Sequence, residues 1–179
     1  MTLRYRRGTV NDAYAAFVVM QRSIADFGER HGVAQFTSLN DPAVLAEQWR
    51  TGRMRWEHVA GTAEHFWPAE RDGRSVGVAQ SILRGETRVL SSFFVEPGEQ
   101  SLGIGRELLA RAFPREGGSR RAILASYDPR ALARYLKASV YPRFPLWSFS
   151  RQAEPVMEPT DLASEPVPTN QTLARGATG

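Results

Sequence analysis

Cysteine is absent from the 179-residue chain. That excludes a disulfide framework, a cysteine-ligated metal and a thiol nucleophile, and no metal site is expected. Lysine is almost absent as well: Lys137 stands alone among 23 basic residues. Long hydrophobic runs are missing. The longest, Ala13 to Met20, has eight residues and is too short to span a bilayer. The opening Met1-Thr2-Leu3-Arg4-Tyr5-Arg6-Arg7 leads into no signal-peptide core. A protein without a membrane segment, in the cytoplasm, is the expectation.

What is present suits one globular domain with a sizeable core, since 42% of residues are apolar and 23% charged. The net charge of +4 is unevenly spread. Residues 152–179 hold Glu154, Glu158, Asp161 and Glu165 against Arg175, a net of −3, which leaves +7 on residues 1–151. The tail also carries Pro155, Pro159, Pro166 and Pro168 without hydrophobic periodicity. It reads as an acidic, proline-rich extension (152–179) of a domain over 1–151. The basic body suits an anionic cofactor. Its arginines are scattered without an interleaved aromatic stripe, which argues against nucleic acid.

Local patterns predict a mixed α/β (α+β) sheet. Leu3–Arg7 reads as a strand, followed by a helix capped at Asn11 or Asp12, with Ala16, Phe17, Met20, Ile24 and Phe27 on its apolar face. Residues 28–40 read as irregular. Asp41-Pro42 pairs a favoured cap with a favoured first helical residue. Trp49, Trp56, His58 and His65 read foremost as packing or surface residues. Residues 63–84 fit a hairpin turning at Asp72-Gly73, with arms Glu64–Glu70 and Ser75–Leu83. Thr87–Val95 reads as a strand buried on both faces at the centre of the sheet, ended by Glu96-Pro97-Gly98. Ile104, Leu108, Leu109 and Ala112 mark a helix closed by Pro114. Arg121–Tyr127 predicts another strand, Asp128-Pro129 another helix start, and Ser139–Phe149 an edge strand interrupted by Pro142 and Pro145.

Between the buried strand and the helix lies Gln100-Ser101-Leu102-Gly103-Ile104-Gly105. Unpaired N–H groups at a helix start, at the positive end of its dipole and beside glycines that admit close approach, can cradle a diphosphate. Arg106 in the first turn adds a cation. The motif alone is weak, because glycine-containing turns also precede ordinary helices.

The flanks add to it. Val95-Glu96-Pro97-Gly98-Glu99-Gln100-Ser101-Leu102-Gly103-Ile104-Gly105 resembles the acetyl-CoA loop of the GNAT superfamily of N-acetyltransferases, with Ser101 where that family commonly has glycine. Asp128 through Tyr135-Leu136-Lys137-Ala138 resembles its second signature, with Asp128 for asparagine and Ser139-Val140 for Gly-Phe. The resemblance spans about residues 3–150. It implies the GNAT acyl-CoA N-acyltransferase fold, an antiparallel meander followed by a central strand, a pyrophosphate-loop helix and a C-terminal βαβ unit. It implies acetyl-CoA, or another acyl-CoA, held by Phe93, Phe94, Val95, Gln100, Ser101, Leu102, Gly103, Ile104, Gly105, Arg106 and Asp128. Tyr135 becomes the general acid for the departing thiolate, and the acceptor an amine of a small molecule or peptide. A base is not evident; Glu64, Glu70 and His65 are open alternatives, as is a water chain. A non-catalytic acyl-CoA-binding or interaction module is the rival reading. A homodimer, or a second module beyond the tail, also stays open.

Overall fold

The computed structural model describes residues 2–147. The acidic tail and the end of the anticipated edge strand lie outside the described residues. Five strands form one sheet in the order β1 (Leu3–Tyr5), β2 (His65–Arg71), β3 (Arg74–Arg84), β4 (Thr87–Val95) and β5 (Arg120–Ile123). The first four are antiparallel neighbours, and β5 pairs parallel with β4. The hairpin is realised as anticipated: Asp72 and Gly73, at φ 49° and 81°, make the tight turn between β2 and β3. Among the described residues no helix is long and apolar enough to cross a membrane.

Two layers of helix cover the sheet. α1 (Ala13–His31) and α3 (Pro42–Thr62) pack on one face, where Ala13, Ala16, Val19 and Ala60 meet Phe66 and Val78. Asp41 caps α3 as anticipated, accepting from the N–H groups of Ala43 and Val44. Trp49 and Trp56 stack around Phe17 in the α1–α3 seam, so both serve packing. On the opposite face α4 (Ile104–Ala112) sets Ile104, Leu108 and Ala112 against Ala69, Val76 and Ala79. Alongside it, α5 (Pro129–Lys137) contributes Tyr135 to a cluster with Leu90, Leu109 and Phe113.

Several expectations need correction. β3, rather than β4, is the middle strand and the most buried, with Val76 to Ser81 all inaccessible. The lesser burial of β4 has a cause in pairing. Only Thr87–Leu90 pair with β5, opposite Arg120–Ile123, and beyond Leu90 the two strands part. The break coincides with a bulge: Gln80 pairs with Ser92 and Ser81 with Leu90, leaving Ser91 unpaired and exposed. Residues 28–40 are more regular than expected, because α1 runs on to His31 and a single helical turn, α2 (Ala34–Thr37), follows. Gly28 acts there as a contact point rather than a breaker, since a Cβ on it would lie 2.7 Å from Phe36 Cβ. The chain therefore folds back closely and delivers Phe36 beside α1. β5 ends at Ile123, short of Tyr127, and residues 139–147 form no strand. Pro142 and Pro145 cannot donate to a ladder, and Ser139 turns away at φ 60°.

Gly77 sets how closely α4 lies on the sheet. A Cβ there would meet Leu108 Cδ1 at 2.9 Å and Ile104 Cγ2 at 3.2 Å. Gly77→Val is expected to cost about 1–3 kcal/mol through overpacking and to tilt the start of α4. A lowered thermal midpoint checks the first effect, and a shift in the backbone amide resonances of Gly103–Gly105 the second.

Candidate active site

The parting of β4 from β5 opens a cavity of about 570 Å³. One wall is the stretch of β4 that has no β5 partner, Ser91 to Val95. The facing wall is the end of β5 with α5, and α1 with α2 closes the third side. Gln100, Ser101, Gly103 and Gly105 stand at one end.

That end is built by backbone conformation. Ser101 and Gly103 both adopt left-handed φ, 67° and 87°. The turn aims five successive N–H groups, Ser101 to Gly105, away from protein partners: among the described residues none donates to a backbone acceptor, while those of Arg106 and Glu107 both bond the Gly103 carbonyl. A Cβ on Gly103 would meet nothing closer than Arg106 Nη2 at 4.0 Å, so the glycine answers to φ and to whatever occupies the turn. A Cβ on Gly105 would press to 3.3 Å on the Phe93 ring. Gln100 fastens the loop to the strand, its Nε2 donating to the Val95 carbonyl at 3.0 Å; Ser23 Oγ on α1 lies 3.1 Å from the same oxygen. Side chains do not plug this turn. Unpaired amides at a helix N-terminus fit a diphosphate, and the unpaired backbone of β4 fits an extended amide-bearing arm.

Not every anticipated residue faces the cavity. Phe93, Phe94, Val95, Gln100, Ser101, Gly103, Gly105, Asp128 and Tyr135 line it. Ile104 is buried in the α4 core, Leu102 projects outward, and the largely exposed Arg106 lies 3.8 Å from Glu107. These three can contribute through their N–H groups. Asp128 is committed to structure: its carboxylate caps α5 by accepting from Arg130 N–H at 2.8 Å and accepts from Arg30 at 3.2 Å. Burial works against its charge, but these bonds outweigh it and hold its pKa below the ordinary carboxylate value.

Tyr135 is 8% exposed, with its ring packed against that of Phe93, centroids 5.9 Å apart, at the cavity wall. Burial, aided by the negative charge of Asp128, pushes its pKa up to about 12. The phenol therefore holds its proton throughout the physiological range and can donate it.

The candidate bases lie elsewhere. Glu64 receives Arg88 at 2.9 Å, and Glu70 receives Arg6 Nε at 2.9 Å. His65 is lowered in pKa by burial and by Arg88, and none of the three lines the cavity. Sequence reasoning missed the third wall. Ser23, Phe27 and Arg30 recur at helical spacing, yet Ile24 and Phe27 read as core positions. Arg130, Arg134 and Lys137 on α5 also line the cavity, a spacing that could have been read as one helix face.

Residues 62–141 match the family model of the acetyltransferase (GNAT) domain. No curated protein matches the chain in sequence. Among solved structures, the chain is similar to a GCN5-related N-acetyltransferase from Ralstonia eutropha, with a TM-score of 0.58 at 16% identity over 83% of this chain and 99% of that one. The ribosomal-protein-S18-alanine N-acetyltransferase from Escherichia coli aligns with a TM-score of 0.54 at 16% identity, over 76% of each chain. An aminoglycoside acetyltransferase from an uncultured soil metagenomic sample, in complex with sisomicin, aligns at 0.55 and 15% identity over 84% and 97%. A five-stranded mixed sheet, parted beside a glycine loop, defines the acyltransferase type of fold. Residues 62–141 thus match the GNAT domain model, and the whole sheet has the fold of the GNAT acetyltransferases to which it is similar.

Two outcomes follow from the backbone and from the buried phenol. A non-glycine residue in the left-handed region costs about 1–2 kcal/mol, part of which glycine returns through unfolded-chain entropy. Ser101→Gly should therefore raise stability by about 0.5–1 kcal/mol, read from denaturant midpoints. Tyr135 is raised above its unfolded value near 10. Its contribution to stability is full below about pH 10 and is lost as pH rises toward 12, because the unfolded chain releases a proton that the folded one keeps. Tyr135→Phe should lose less stability than the wild type between about pH 10 and about pH 12.

Proposed function

We propose that the protein is a cytoplasmic N-acetyltransferase that moves an acetyl group from acetyl-CoA to an amine of a small molecule or peptide. The single observation that carries this reading is the cavity itself, in which the turn at Ser101, Gly103 and Gly105, whose amides have no protein partner, leads onto the edge of β4 that β5 leaves and then to a protonated, buried Tyr135. Bound acetyl-CoA supplies a thioester carbon open to attack by a neutral amine. The amides of Ser101 to Gly105 hold the diphosphate, with the Leu102, Ile104 and Arg106 positions contributing backbone rather than side chains. The edge of Phe93, Phe94 and Val95 aligns the pantetheine arm and offers N–H groups to the carbonyl oxygen as it gains charge. As the new C–N bond forms and the C–S bond breaks, Tyr135 Oη gives its proton to the leaving sulfur. The ammonium proton goes to water, which in turn reprotonates Tyr135, since the only carboxylate lining the cavity among the described residues, Asp128, is held by Arg30 and Arg130.

That lack of a free carboxylate favours one rival, an acyl-CoA-binding module without turnover. Calorimetry should register acetyl-CoA binding in the wild type and strong weakening in Gly103→Glu, which adds bulk and negative charge at the amides. Absence of heat at about millimolar cofactor, a level typical of weak binding, would overturn the reading. Tyr135→Phe should lower kcat by about 10²-fold with little change in acetyl-CoA affinity. Thiol release separates the enzyme from the binding module: cofactor binding without release from any amine would favour the module.

A further inference from the structure

The wall opposite Tyr135 carries more information than the family's chemistry requires. Ile24 and Phe27 of α1 and Phe36 of α2 belong to none of the three core clusters, yet they are half-buried because they line the cavity. Phe94 continues the same surface from β4. Three phenylalanines and an isoleucine thus face the space left for an acceptor once the α4 end and the β4 edge are taken by cofactor. Gly28 keeps Phe36 in place, since any side chain there would displace it.

Charge on this wall is already spent within the protein. Arg30 Nε donates to Asp26 at 2.8 Å, and its Nη2 donates to Asp128 at 3.2 Å. Arg130 lies 3.9 Å from Asp26 and 3.6 Å from Asp128, closing a square of two arginines and two aspartates between α1 and α5. Arg134 and Lys137 add positive charge to the lining. An acceptor bearing several ammonium groups would meet no free carboxylate here. A second groove along α1 is lined by Glu29, Glu96 and Glu99, of which Glu96 is bonded by Arg22 and Glu99 by Arg71, but it does not include the Gly103 turn or Tyr135.

Resting on the acetyltransferase reading above, we infer that the acceptor is a singly charged amine on an apolar, aromatic-sized body, of the arylalkylamine class, and not a polyamine or aminoglycoside. Its ring lies against Ile24, Phe27 and Phe36 while its nitrogen points toward the thioester. Apolar walls and like charge disfavour the ammonium form, which helps the amine reach the neutral state without a carboxylate base.

The test takes the full chain, establishes acetyl-CoA binding by calorimetry, and then compares 2-phenylethylamine with spermidine and sisomicin by thiol release. 2-Phenylethylamine should show the higher kcat/KM by about ten-fold or more. Phe27→Ala and Phe36→Ala should each raise its KM about ten-fold, with acetyl-CoA affinity unchanged. Acetyl-CoA binding followed by preference for spermidine or sisomicin, or by turnover of no amine, would overturn this inference and leave cofactor binding intact. Variants that change KM for all three amines alike would overturn it too. Should either variant fail to fold, the wild-type comparison decides alone. Loss of acetyl-CoA binding in the wild type would remove both readings together.

Discussion

The structure depends on where a hydrogen-bonded ladder stops. β4 and β5 share four residue pairs and then separate at Leu90 and Ile123. A parallel pair that continued would bury both edges and leave no room between α1 and α5. Because it stops, the edge of β4 from Ser91 to Val95 has no strand beside it; Gln100 and Ser23 satisfy the Val95 carbonyl, and the groups left over cost free energy unless water or a ligand satisfies them. The bulge at Ser91 is the local device that goes with this. It inserts one residue without a partner and bends the strand at the point of separation.

The glycine loop gains its meaning from that separation. Unpaired amides at the start of a helix are common and bind nothing by themselves. Here they stand at the end of an open strand edge, and Gln100 and Ser23 both reach the Val95 carbonyl, which joins loop, strand and α1 at one oxygen. The left-handed backbone of Ser101 shows how strongly the turn is imposed. A residue ill-suited to that region adopts it because its neighbours on both sides are fixed. The departure from glycine therefore changes the strain in the turn more than its geometry.

Legibility varied with the range of the interactions. The hairpin at Asp72-Gly73, the caps at Asp41 and Asp128, and the helix beginning at Ile104 all follow from neighbouring residues, and the structure has them where local chemistry puts them. Positions 28–40 and 139–147 did not, for opposite reasons. Residues 28–40 read as irregular, yet Gly28 is the point where Phe36 docks, whereas the pattern after Ser139 suggested a strand that its prolines and the turn at Ser139 prevent. Ile24 and Phe27 show the same ambiguity at the site. An apolar helical stripe reads alike whether it covers a core or lines a cavity.

Local order along the chain determined the elements, the loop with its phosphate-cradling pattern, and the place of Tyr135 on a helix behind a proline-backed cap. Those features depend on residues within one or two turns of each other, so the amino-acid order suffices to specify them. Only the tertiary structure decided that β4 parts from β5, that Glu64, Glu70 and His65 lie away from the cavity, and that phenylalanines rather than carboxylates form its third wall. Each of these is a relation between segments 20 or more residues apart, as between Glu64 and Arg88 at 24. Such relations are settled by which surfaces bury one another, and no local pattern encodes that choice.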